Sequence, residues 1–149
     1  MTSLLLACLS GFEAGQGRVE QGVWIHDAVG LELPVPDEAA TTGFSSGLDA
    51  VLLEAQVDDV ELAVSAWPRP SGLLGERYAE AGALDLLRLA PALDAPMERL
   101  PSCAGAILQV GDEGSRLALA APGGLVLIQA WGAPAQQRRA VLRQIACER

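Results

Sequence analysis

Few residues in this chain have types and spacing suited to chemistry, and each suggests a different one. Cys8 closes the tetrapeptide Leu5-Leu6-Ala7-Cys8, which has the form of a bacterial lipoprotein processing box, where the cysteine takes the lipid and becomes the first residue of the mature chain. Leu9-Ser10-Gly11 and the stretch Glu13 to Gly17 have the composition of a flexible tether. Two features oppose this reading: no basic residue precedes Cys8, and only seven residues do, where a signal needs roughly fifteen or more. Two expectations therefore stand. If translation starts upstream of Met1, Cys8 is the lipidation site of an envelope protein. If Met1 is the true start, the chain is cytoplasmic and Leu4, Leu5, Leu6 and Leu9 belong to the core of the fold.

The other candidates are weaker. His26 is the only histidine and stands beside Asp27, which suggests a general base. Adjacent strand residues point to opposite faces, however, so the two side chains would not meet, and a surface or edge histidine is the expectation. Asp58, Asp59, Glu61, Asp112 and Glu113 form acidic turns without the spacing of a cation loop. Pro122-Gly123-Gly124 joins two strands and opens no helix, so it is no phosphate cradle. Cys103 and Cys147 match no zinc pattern; they are either buried small hydrophobes or a pair, and a pair would require an oxidising compartment. Catalytic, cofactor and metal sites are all expected to be absent.

Trp24, Trp67 and Trp131 are the candidate binding residues. Trp67 precedes Pro68 and Trp131 precedes Gly132, so both fall at strand ends, where an indole closes a core or lines the rim of a cleft. An apolar cleft between sheet and helix is the default site for such a domain. The ligand would be a protein or a small apolar molecule.

These residues need a scaffold, and the chain is long enough to supply one. Its 149 residues are 50% hydrophobic, 19% charged and 4% aromatic, which suits a single folded domain. All ten basic residues are Arg. The formal charge of -9 argues against nucleic acid, whose affinity for proteins comes largely from neutralising phosphates. No apolar run reaches the length of a transmembrane span.

Residues 1–21 read as an apolar N-terminus and Gly-rich tether, and 22–149 as one α+β domain. Within it, 22–35 is extended, with a bend at Gly30 and an edge strand ending near Pro34. Residues 39–47 form a loop and 48–67 a hairpin turning at Val57-Asp58-Asp59. A helix spans about 72–89, weakened at Gly75 and Gly82. A loop bracketed by Pro91 and Pro96 leads to a meander of strands near 104–110, 116–121 and 125–131. Pro134 then opens a closing helix; Val141, Leu142 and Ile145 face inward and Arg138, Arg139 and Arg143 outward. The expected fold is a single antiparallel sheet with both helices on one face and the other face partly open or covered by the N-terminal segment.

This order of elements resembles the PsbP-like fold. Gly30-Leu31-Glu32-Leu33-Pro34 is similar to its early strand, Cys103-Ala104-Gly105 to the opening of its meander, and Gly124 to Trp131 leads into the last helix in the same way. The superfamily holds the extrinsic photosystem II protein, Ran-binding Mog proteins, bacterial lipoproteins and secretion chaperones. The resemblance implies a non-enzymatic binding or interaction domain, either of the bacterial envelope or, alternatively, a cytosolic partner-binding chaperone or adaptor.

Overall fold

Alternation along the strands decides how the layers stack. A computed structural model describes residues 18–26, 30–36, 39–46, 51–68, 79–90, 92–121 and 123–148. The first three strands, β1 (Arg18–Glu20), β2 (Val23–His26) and β3 (Leu31–Pro34), form a small antiparallel sheet in sequence order. The others are β4 (Ala40–Ser46), β5 (Val51–Val57), β6 (Val60–Pro68), β7 (Met97–Leu100), β8 (Ala106–Val110), β9 (Gly114–Ala121) and β10 (Gly124–Gly132). They form a second, seven-stranded sheet of order β4-β5-β6-β10-β9-β8-β7, antiparallel at every pairing. Helix α1 (Ala79–Leu89) follows β6 and helix α2 (Ala135–Cys147) follows β10.

In a strand, alternate residues face opposite sides. Leu108, Leu117, Leu119, Val126 and Ile128 share one core with Val141, Leu142 and Ile145 of α2 and with Trp24, Leu31 and Leu33 of the small sheet. Their neighbours Ile107, Ala118 and Leu127 join a separate core with Ala83, Leu86 and Leu87 of α1. The two helices therefore lie on opposite faces of the large sheet. The small sheet covers the α2 side beside that helix.

This corrects the expected fold in two respects: there are two sheets, and the helices do not share a face. The meander strands explain the second difference. Because β9 is covered on both sides, Leu117 to Ala121 are all buried, as in any strand enclosed between two layers. A run buried on both faces carries no alternation to say which helix lies where.

Three further elements depart from expectation. Residues 40–46 are an edge strand paired with β5, with a register shift between Thr41 and Gly43, and not a loop. Residues 97–100 form the opposite edge, β7, directly after Pro96. β1 brings Arg18–Glu20 into the fold, paired with β2, and Val19 packs against the main core. The folded domain thus includes Arg18 and does not begin at Gly22. The hairpin β5–β6 turns at Asp58 and Asp59 as expected, with Val57 opposite Val60. Helix α1 runs unbroken through Gly82. Residues 71–78, the first part of the expected helix, lie outside the described residues.

Helix α2 is fixed at both ends. At its start, Arg138 is buried at 2% exposure and is not on the outer side. Its Nε donates to Ser115 Oγ at 3.0 Å, and its terminal nitrogens donate to the carbonyl oxygens of Ala133, Gly111 and Asp112. A guanidinium fits this place because it is always charged and carries five donors in a fixed plane. It ties the β8–β9 turn to the helix. At the far end a disulfide joins Cys147 to Cys103, which precedes β8. Arg139 does lie outward, donating to both carboxylate oxygens of Glu98 on β7 at 2.5 and 2.6 Å. Arg143 lies 3.8 Å from the same carboxylate.

Candidate functional site

The residues singled out by type are scattered by the fold. Cys8 and Asp27 lie outside the described residues, as does the side chain of Trp67, whose backbone belongs to β6. Trp24 is fully buried between the small sheet and the large one, so it closes the core and lines no rim. His26 follows two residues later on the same face of β2, is buried, and meets the Trp24 ring edge-on at a centroid distance of 5.9 Å. It is therefore not the surface or edge histidine that the sequence implied. The carbonyls of the Gly111–Asp112 turn receive Arg138, and the Asp58 carbonyl accepts Gln56 Nε2 at 3.0 Å. In both acidic turns the backbone carbonyls hold neighbouring side chains in place.

Trp131 remains, 39% exposed. It stands near the end of β10 on the α1 side of the sheet, the face shared by Leu127 and Gln129. Its direct partner on β9 is Gly114, and its partner on β6 is Glu61. Where most strands would present a side chain, Gly114 leaves space. That space is a hollow of about 270 Å³, whose walls include Ala92, Leu93, Gly114, Arg116, Gln129 and Trp131. It is open to solvent, and it lies where the chain leaves α1 and crosses the sheet towards β7.

Arg116 gives the hollow its polarity. Register places Gln109, Arg116 and Gln129 side by side across β8, β9 and β10. The Gln109 side chain is held at one end by donating from Nε2 to the Ala95 carbonyl at 2.9 Å, and its Oε1 accepts Arg116 Nε at 2.6 Å. The guanidinium is thereby set in one plane beside the hollow. Burial, with Arg116 only 6% exposed, lowers its pKa below the ordinary arginine value, because desolvation penalises the charged form.

The chain matches no family model, no curated protein and no solved structure. The site must be read from its own residues. Its walls pair an indole and a leucine with a guanidinium and one amide, that of Gln129, an arrangement suited to holding a small molecule by stacking and hydrogen bonds. Of the residues at the hollow, the sequence singles out Trp131 as a candidate and does not single out Arg116 or Gln109. Polar residues at positions 109 and 116 in otherwise apolar strands were the available signal, and pairing them required the register of β8 on β9.

Among the described residues, no group of three or more His, Cys, Asp or Glu side chains could hold a metal ion. Nor, among them, is any helix long and apolar enough to cross a membrane.

Proposed function

We propose that this chain is a non-enzymatic binding domain of the bacterial envelope, PsbP-like in fold, tethered by a lipid on Cys8 and binding at the hollow beside Trp131. The observation that carries the compartment is the Cys103–Cys147 disulfide. Disulfides persist in oxidising compartments and are rare where glutathione and thioredoxin keep thiols reduced. A cytosolic adaptor would carry both as thiols. The Leu5-Leu6-Ala7-Cys8 sequence and the Gly-rich stretch that follows fit the same compartment. The hollow supports a binding role, because it joins an exposed aromatic wall to an oriented cation. His26 is buried and packs against Trp24 inside the domain.

The test is thiol state and fractionation in cells expressing the gene with its upstream sequence. Acid-quenched cells should yield a protein in which Cys103 and Cys147 resist alkylation until reduced. The protein should label with palmitate and sediment with membranes, and Cys8→Ser should abolish the label and release it. Full alkylation of both cysteines without reductant would favour the cytosolic adaptor and overturn the reading.

A further inference from the structure

The hollow's geometry restricts what it can hold, and Gly114 is central to that restriction. A Cβ built on Gly114 meets nothing closer than the Ala130 carbonyl oxygen at 3.7 Å, an ordinary contact. Glycine is therefore not demanded there by backbone crowding, in contrast to Gly111, where a Cβ would come within 2.7 Å of the Gly114 carbonyl oxygen. Gly114 is the first residue of β9, and a glycine there gives up side-chain packing and costs conformational entropy. Here its absent side chain forms the floor of an open space against Trp131.

The two sides of Trp131 differ in charge. Towards β6 its neighbour is Glu61; towards β9 lie Gly114 and, two residues along the same face, Arg116. Among the described residues, the β9 side alone has both the space and the cation. The overall charge of -9 disfavours anions at long range, but that effect is screened beyond about 10 Å at 0.1 M salt. Contact with a partly desolvated guanidinium is screened far less. A guanidinium whose plane is already fixed by Gln109 loses little freedom on meeting a carboxylate, and such charge-assisted hydrogen bonds are stronger than neutral ones.

We infer that the hollow binds a small carboxylate carried on a flat apolar body, with the ring over Gly114 against Trp131 and the carboxylate directed to Arg116 and Gln129. This rests on the reading of the hollow as the binding site. It adds the ligand's chemical class: an aromatic acid, and not its neutral amide.

The test uses the purified, oxidised protein with benzoate and benzamide as probes, titrated by ligand-observed NMR. Benzoate should bind about tenfold more tightly than benzamide, a difference of about 1.4 kcal/mol. Gly114→Val places a β-branched side chain in the hollow and should weaken benzoate at least tenfold while leaving the thermal midpoint near that of the wild type. Arg116→Gln should bring benzoate down to the level of benzamide. If Gly114→Val proves unfolded, Trp131→Ala removes the wall and should give the same loss. Equal affinity for the two probes, no binding of either, or wild-type affinity in the folded variants would each overturn the inference. None of these results alters thiol state or fractionation, so the assignment of compartment stands or falls separately.

Discussion

The two faces of the seven-stranded sheet are built from the same alternating strands, yet among the described residues only one is covered along its length. On the α2 side, Leu53, Val60, Leu62, Val64, Leu117, Leu119, Val126 and Ile128 are buried beneath the small sheet and the terminal helix. On the α1 side the helix covers Ile107, Ala118 and Leu127, and beyond it Glu54, Gln56 and Glu61 are exposed while Ala63 and Ser65 are half-buried. The sealed face is further fastened by Arg138 and the disulfide. Among the described residues, the half-covered face carries one helix and, at its margin, the hollow. Among the described residues, buried aliphatic side chains are concentrated on the first face, and the second keeps exposed polar surface.

The sharpest way to break this comparison is to cut into each face. Ile145 and Leu142 are fully buried on α2, so Ile145→Ala should cost about 2–5 kcal/mol, the range for truncating a large aliphatic side chain in a core. Glu61→Gln or Gln56→Ala on the open face should change stability by no more than about 0.5 kcal/mol. Urea titrations of the three variants measure the contrast. A loss below about half a kcal/mol for Ile145→Ala would remove α2 from the core.

The next effects come from the fastenings. Cys103 and Cys147 are 44 residues apart in sequence, and removing the cross-link with Cys103→Ala and Cys147→Ala together should cost about 2–4 kcal/mol, mostly by freeing the unfolded chain. Calorimetry with and without reductant checks it, since reductant should lower the wild-type midpoint and leave the double variant unmoved. Arg138→Met should cost about 1–3 kcal/mol, because it leaves the Gly111 and Asp112 carbonyls without their donor in a partly buried turn. Arg139→Met, by contrast, breaks an ion pair that is well exposed on both sides and should cost at most about 1 kcal/mol.

Much of this architecture is legible in the residues, and its gaps have physical causes. The β5–β6 hairpin shows because β6 alternates over one open face, with Leu62 and Val64 inside and Glu61 outside. The meander shows because turn residues punctuate it. Strand β4 does not show, since Ala40-Thr41-Thr42-Gly43 has the small polar composition of a loop and gains its regularity from pairing with β5. Strand β7, Met97–Leu100, is short and flanked by Pro96 and Pro101, so it reads as an interruption. Arg138 looks like one of three outward cations by composition. Helical spacing places it with Val141, Leu142 and Ile145 on the buried side, and the reason for a cation there lies in carbonyls 26 and 27 residues away. At the candidate site, Trp131 could be found from its type. Arg116 and Gln109 needed the register.

The smallest expected effect tests how closely α1 sits on its face. A Cβ on Gly82 would stand 2.8 Å from Leu125 Cδ2, so the helix packs against the sheet at a distance only glycine permits while Leu125 keeps its present position. Gly82→Ala has two opposed consequences. In a helix interior alanine is favoured over glycine by about 1 kcal/mol. The new methyl group must displace the tip of Leu125, a flexible and partly exposed side chain, at a cost comparable with forcing a side chain off its rotamer, about 0.5–1.5 kcal/mol. The two nearly cancel, and the single variant should lie within about 0.5 kcal/mol of the wild type. Leu125→Ala removes the obstacle, and in that background Gly82→Ala should stabilise by about 0.5–1 kcal/mol, because only the helix term survives. The double-mutant cycle isolates the contact. Additivity within about 0.3 kcal/mol would mean that α1 does not press on Leu125, and the second face would then be more loosely covered than the contact at Gly82 implies.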